Sequence, residues 1–214
     1  MSLKDDLSRL HDKVLASLPT DVAAQVIQEN KKLFSTLLET KALKAGDPAP
    51  DVFFRNKDLT TVYLKDLLKE HHIILSFFRG TWCPYCNLEL TELNKINDQI
   101  EQKGARLIAV SPELYKFSEP SVKDKKFSVL TDLANKAADE FGLVFDLPPR
   151  YREIYKSLNI ELNVLNADNN WTLPMPATFI ISKDGMIKTT YINADYTKRM
   201  EPADIIENLS LLAP

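Results

Sequence analysis

The stretch His72–Cys86, HIILSFFRGTWCPYC, constrains this chain more than any other. Ile73 to Phe78 is apolar except for Ser76, too short for a typical helix, and so predicts a buried strand over His72–Phe78. Arg79, Gly80, Thr81 and Trp82 then form a short turn. From Pro84 the pattern changes period: Leu90, Leu93, Ile96 and Ile100 fall on one face of a helix running to about Lys103, with Gly104 as its stop. Cys83 and Cys86 therefore sit where a buried strand gives way to a helix.

That placement has chemical consequences. The first turn of a helix carries unpaired backbone N–H groups and the positive end of its dipole, so it favours an anion. A thiol there ionises below its free value of about 8.5, toward the roughly 3.5–7.5 range of such sites, and the thiolate is the form that attacks peroxides and disulfides. Pro84 suits the first helical position because its missing donor has no helical partner to lose. Two intervening residues let one sulfur reach the other, giving an intramolecular disulfide that a partner can reduce.

The chain has only these two cysteines, which excludes a disulfide framework. Half of a zinc site is the other use of such a pair, but there is no second CxxC. The only imidazoles are His11, His71 and His72, and the last two are adjacent and project to opposite sides of a strand. No metal and no cofactor are expected.

The rest reads as alternating strands and helices. Leu3, Leu7, Leu10, Val14 and Leu18, ended by Pro19, mark one amphipathic helix. Ala23, Val26, Ile27, Phe34, Leu37 and Leu38 mark a second, capped by Thr20 or Asp21. These form an N-terminal extension, residues 1–45, expected to pack on the main domain rather than serve as a partner-binding arm. Gly46-Asp47-Pro48-Ala49-Pro50 is a breaker that opens the main domain, residues 46–214. There we expect a strand near Asp51–Phe54, a helix over Leu64–Lys69, strands over Arg106–Val110 and Phe127–Leu130, a helix from Asp132 to Gly142, and another over Arg150–Leu158. Strands Ala177–Ile181 and Met186–Tyr191 flank the turn Ser182-Lys183-Asp184-Gly185, and a last helix starts near Pro202. The fold class is α/β, a mixed central sheet flanked by helices.

With a net charge of -3 the 214-residue chain offers no basic surface for nucleic acid or anionic membrane. No apolar run approaches the roughly 18 residues of a membrane span, and the charged start MSLKDDLSRLHDKVL does not read as a secretory signal, so a cytoplasmic location is expected.

The segments GDPAPDV, FFRGTWCPYCNLEL, FSVLTD, FGLVFDLP, WTLPMPATFIISKDGMI and DYTKRMEP, in that order from Gly46 to Leu209, resemble the peroxiredoxin-like branch of the alkyl hydroperoxide reductase and thiol-specific antioxidant family. The resemblance implies a thioredoxin fold and a cis Pro176 beside the dithiol. It also implies reduction of hydroperoxides, with a thioredoxin-like or glutathione-like donor of electrons; a homodimer stays open. It puts Cys86 in the place of the attacking cysteine, whereas thioredoxin and glutaredoxin, which WCPYC also resembles, put Cys83 there.

The chain departs from the family where peroxide is usually held. Cys83 occupies the place of a threonine and Pro176 that of an arginine, so Arg79 or Arg199 is the candidate replacement guanidinium. Thioredoxin's buried aspartate is absent, its neighbourhood corresponding to Ser76 and Phe77. Thr81, Trp82, Pro84 and Tyr85 complete the candidate site around the catalytic pair Cys83 and Cys86, with Trp82 as shield or partner contact. Tyr196 and Asp195 read as a packed loop, and Glu113 as a proton carrier or an ordinary surface carboxylate. Three functions follow: a thiol peroxidase, a thiol–disulfide oxidoreductase with little peroxidase activity, and a redox-regulated binding module.

Overall fold

A computed structural model describes residues 2–212. Its centre is a seven-stranded sheet ordered β2-β1-β5-β4-β3-β8-β9. The strands are β1 (Phe53–Arg55), β2 (Thr61–Tyr63), β3 (His72–Phe77), β4 (Ala105–Ser111), β5 (Ser128–Thr131), β8 (Ala177–Ile181) and β9 (Ile187–Ile192). β3, β4 and β5 run parallel, while β1, β2, β8 and β9 extend the sheet antiparallel on its two sides. A separate pair, β6 (Val144–Asp146) and β7 (Thr172–Pro174), is antiparallel.

All six residues of β3 are buried, as a strand covered on both faces requires. Ile74 and the following Phe78 pack toward α4 (Pro84–Gln102), with Leu90, Leu93 and Ile100. Ile73, Leu75 and Phe77 point the other way, into a cluster with Phe54, Leu64, Phe141 and Phe179. Phe77, Phe141 and Phe179 meet with ring centroids 4.8–6.1 Å apart, the tilted and edge contacts that aromatic quadrupoles favour. The remaining helices are α3 (Leu64–Leu68), α5 (Tyr115–Val122), α6 (Lys136–Glu140), α7 (Pro149–Ser157), α8 (Leu162–Leu165) and α9 (Pro202–Ser210).

The two N-terminal helices, α1 (Leu3–Ser17) and α2 (Thr20–Phe34), lie against this body. Leu3 and Leu7 join the core of α4 and α9, and Val26 and Leu33 pack with Tyr151, Ile154 and Tyr155 of α7. The start of α1 is held from a distance in sequence. Glu201 accepts hydrogen bonds from the backbone N–H groups of Leu3 (3.0 Å) and Lys4 (2.7 Å), satisfying donors that a helix start leaves open.

Most main elements stand within a residue or two of their expected limits, but α2 ends at Phe34 rather than reaching Leu38, because Leu37 adopts left-handed backbone angles and Leu38–Lys41 forms a separate 3₁₀ turn. β2, α5, α8 and the β6–β7 pair were not expected. α5 contains Pro120, a breaker in most helices, and the others are three or four residues long, too short to show a period. The Asp132–Gly142 segment divides into a short 3₁₀ turn, Leu133–Asn135, and α6, because Ala134 and Asn135 adopt left-handed backbone angles.

The cis Pro176 is corrected: among the described residues no peptide bond is cis. The trans form is favoured for X–Pro by roughly 0.5–1 kcal/mol, and nothing here opposes it. The chain leaves β7 at Pro174, Met175 N–H donates to Leu143 O (2.9 Å), and β8 begins at Ala177 opposite Phe77. Pro176 is buried just before β8, at the end of the sheet where β3 runs into the dithiol, and its missing donor costs no ladder bond.

Gly142 closes the loop after α6. Its φ is +70°, and an added Cβ would lie 2.2 Å from the carbonyl oxygen of Lys41. Gly142→Ala is expected to destabilise the fold by about 1–3 kcal/mol, read as a lower urea midpoint at unchanged slope.

Candidate active site

The route from β3 to α4 is short and tightly tied. Gly80 (φ +144°) lies directly under the Trp82 indole, which would stand 2.3 Å from any Cβ there. Cys83 N–H donates to Gly80 O (3.2 Å), Cys83 is the N-cap of α4 and Pro84 its first residue. Asn87 closes the turn, its side-chain amide donating to Thr81 O (2.6 Å). Glu113, just past β4 and 2 % exposed, accepts from both Thr81 N–H (2.7 Å) and Thr81 Oγ1 (2.8 Å). Burial pushes the Glu113 carboxyl up, while its two bonds to Thr81 pull the other way.

Both cysteines are free and 0 % exposed. Arg79, 4 % exposed, donates from Nη2 to Cys83 Sγ at 2.9 Å and from Nη1 to Tyr155 Oη at 3.0 Å. Its guanidinium lies 3.9 Å from the centre of the Tyr196 ring and 5.1 Å from that of Trp82. No carboxylate among the described residues forms an ion pair with it. A buried guanidinium cannot shed its charge, and leaving it unpaired costs several kcal/mol. The group that faces it is the Cys83 sulfur.

The two thiols are therefore driven apart. Burial opposes ionisation of Cys83, but the hydrogen bond from Cys86 and the charges of Arg79 and Arg199 override it and hold Cys83 well below the ordinary thiol range. Burial, the hydrogen bond to Cys83 and the Cys83 charge together push Cys86 well above that range. Both directions favour Cys83 over Cys86 as the sulfur that carries charge.

Arg199 stands on the other side of the pair. It is buried, donates from Nη2 to Cys86 Sγ at 3.4 Å, forms an ion pair through Nε with Glu89, and is held by the carbonyl of Tyr196. Burial pushes Glu89 up to about 7, with the Arg199 charge offsetting only part of that. Ser76, on β3, is buried with an unpartnered hydroxyl.

Of the residues singled out from sequence, Arg79, Arg199, Cys83 and Cys86 come together directly, and Thr81, Trp82, Pro84 and Tyr85 frame them. Trp82 is half-buried, edge-on to Tyr155 with centroids 5.2 Å apart. Tyr85 is buried, its hydroxyl 3.0 Å from His11 Nδ1 of α1. Tyr196, read as loop packing, lies over Arg79. Sequence reasoning missed Glu89, Tyr155, Tyr151 and Asn30; the last bonds Tyr196 Oη through Nδ2 (3.0 Å) and accepts from Tyr151. Glu89 carried a signal, since it stands three residues after Cys86 on the face of α4 that also buries Leu90 and Leu93. Nothing in sequence joins Asn30 to Tyr151 and Tyr196. Among the described residues no group of three or more His, Cys, Asp or Glu is placed to hold a metal ion, and no helix is long and apolar enough to cross a membrane.

Fold and site together define a class, the thioredoxin-fold oxidoreductases. The AhpC/TSA family model matches residues 45–190, and the chain belongs to that family. It is similar to the thiol-disulfide oxidoreductase ResA of Geobacillus thermodenitrificans, 27% identical over 176 residues, covering 82% of each chain. It is also similar to peroxiredoxin bcp of Helicobacter pylori, 25% identical over 153 residues, covering 71% of this chain and 89% of that one. Peroxidoxin BcpB of Mycobacterium tuberculosis shares the fold with a TM-score of 0.60 at 17% identity, over 80% of this chain and 99% of its own. Reduced Prx3 of Vibrio vulnificus does so with a TM-score of 0.62 at 16% identity, over 78% and 99%.

Proposed function

We propose that the protein is a thiol peroxidase in which Cys83 attacks and Cys86 resolves. The observation that carries this reading is the Cys83 sulfur held at 2.9 Å by a buried guanidinium that has no carboxylate partner. The pair makes a nucleophile with a cation fixed where charge develops as an O–O bond breaks. Both sulfurs are wholly covered, so a small oxidant reaches them far more readily than a disulfide on a protein surface. The peroxidase names among the relatives agree.

The Cys83 thiolate forms an S–O bond to the terminal oxygen of ROOH, the O–O bond breaks, sulfur is oxidised by two electrons to a sulfenic acid, and RO⁻ leaves. RO⁻ takes the proton of Cys86, whose new thiolate faces Arg199. That thiolate attacks the sulfenic sulfur, forms the Cys83–Cys86 disulfide and expels hydroxide, which takes a proton from solvent. An external thioredoxin-like or glutathione-like thiol returns two electrons, which suits the reducing cytoplasm.

One observation favours a second reading, thiol–disulfide exchange. The ionised sulfur is the first of the pair, the position that attacks in thioredoxin and glutaredoxin, and ResA relatives match most of the chain. Rapid-mixing rates with hydrogen peroxide and tert-butyl hydroperoxide, set against reduction of insulin and of a glutathione mixed disulfide, separate the two. The peroxidase reading predicts a hydroperoxide rate at least ~100-fold above a free thiol at pH 7, with slow insulin reduction. Peroxide rates no better than a free thiol, alongside fast disulfide reduction, would install the second reading in its place.

A further inference from the structure

Asn30 stands on α2 in the N-terminal extension, outside the residues 45–190 that match the family. Its side chain is buried, and both ends of the amide are engaged by tyrosines far away in sequence. Nδ2 donates to Tyr196 Oη at 3.0 Å, and Oδ1 accepts from Tyr151 Oη. These tyrosines close on Arg79. The centre of the Tyr196 ring lies 3.9 Å from the guanidinium, Tyr155 Oη accepts from Nη1 at 3.0 Å, and the Tyr151 and Tyr155 rings meet edge-on at 5.9 Å. Arg79 Nη2 in turn reaches the Cys83 sulfur at 2.9 Å. A chain of direct contacts therefore runs from α2 to the reacting sulfur.

Docking of α2 does not need an amide at this place. Val26 and Leu33 already bury the helix against α7, and a polar group taken from water gains little net stability even when it is fully bonded. What the amide adds is direction, since it carries a donor and an acceptor on one rigid head. Tyr196 needs that direction. It lies in the irregular segment between β9 and α9, where no ladder or helix fixes its ring.

We propose that Asn30 is a positioning residue of the active site, which holds the Tyr196 ring on the Arg79 guanidinium and so keeps that guanidinium against the Cys83 sulfur. The role rests on the reading of Cys83 as the ionised, attacking thiol, and it makes the N-terminal extension part of the machinery that activates it. Guanidinium groups stack on aromatic faces, and the contact strengthens where water is excluded. Without Asn30 the Tyr196 and Tyr151 hydroxyls are left buried and unpaired, so the Tyr196 ring turns to find a partner and Arg79 loses the face that directs it.

Ultraviolet thiolate titration of the reduced protein provides the test, in the wild type, in Asn30→Leu, in Tyr196→Phe and in the double variant. Leucine is close to asparagine in size but has neither donor nor acceptor, and phenylalanine keeps the ring while removing the hydroxyl that Asn30 holds. We expect each single variant to move the Cys83 transition up by about one pH unit and the double variant to move it no further. Leu7→Ala removes packing of α1 against α4 and α9 and none of these hydrogen bonds, so it is expected to lower the urea midpoint and leave the transition in place. An unmoved transition in Asn30→Leu, or in Tyr196→Phe should the first variant not fold, would overturn the proposal. So would an equal shift in Leu7→Ala, the mark of general loosening, or shifts that add in the double variant, which would remove Tyr196 as the intermediary. The titration uses no peroxide, so a wild type inert toward hydroperoxides would overturn the peroxidase reading and leave the role of Asn30 standing. A wild-type Cys83 that ionises only in the free-cysteine range would overturn both.

Discussion

Cys83→Ser is expected to abolish peroxide reduction, lowering the rate by at least ~1,000-fold, while Cys86→Ser keeps the first half of the reaction. The two sulfurs share burial and a helix start, and what separates them is the direction of the hydrogen bond between them and the cation each one meets. Cys83 accepts from Cys86 and from Arg79 at 2.9 Å; Cys86 has only the longer contact to Arg199 at 3.4 Å. Cys86→Ser should consume one equivalent of peroxide and stop, leaving a sulfenic acid on Cys83 that mass spectrometry finds as one added oxygen. Cys83→Ser should acquire none. A sulfenic acid on Cys86 in the Cys83→Ser protein would reverse the roles and move the attacking sulfur to the position implied by the family resemblance.

Arg79→Met is the second large effect. Removing an opposite charge in contact moves an acid by about 1–3 pK units, and for Cys83 the burial that remains acts in the opposite direction to the lost cation. The sign follows. A thiol reacts as its thiolate, so the rate rises with pH through the Cys83 pKa and then levels. In the wild type that rise lies well below the ordinary thiol range and the rate is flat near neutrality. In Arg79→Met the rise moves to alkaline pH, and the rate at pH 7 falls by about 10- to 1,000-fold. Arg79→Lys should recover part of the loss, because a point charge restores the field but not the planar set of donors. A variant with an unmoved pH profile and an unchanged neutral rate would remove Arg79 from the chemistry.

The legible parts of the molecule are those with long-period patterns. β3 and α4 were readable because a short apolar run interrupted only by Ser76 and a four-residue apolar face each admit one interpretation, and the Pro84 start and Gly104 stop limit the helix at both ends. The dithiol's position followed from those two elements. Arg79 and Arg199 were recognisable as candidate guanidinium groups, but their division of labour, one for each sulfur, depends on how the segment after β9 folds back over α4, which no local pattern encodes. Glu113 reads from sequence as either a proton carrier or an ordinary surface carboxylate. Its burial against Thr81 arises because β4 lies beside β3, so that the loops leaving both strands meet at one end of the sheet. The trans Pro176 shows the opposite error, an expectation carried by resemblance and not met by this chain.

The layer over the site was the least predictable part. Two amphipathic helices announce only that they bury a face, and the pairing of His11 with Tyr85 and of Asn30 with Tyr151 and Tyr196 appears once α1 and α2 have docked. These contacts enclose Arg79 and Cys83 together. Enclosure strengthens their attraction by lowering the local dielectric and makes the cost of separating the charges prohibitive.

Titration of the fully reduced wild-type protein by ultraviolet thiolate absorbance tests this ion pair most directly. The account predicts one thiolate already present at pH 7 and persisting well into the acid range, absent from Cys83→Ser, with the second sulfur ionising only at strongly alkaline pH. Two thiols that both remain protonated up to about pH 8, the ordinary free-cysteine range, would contradict it.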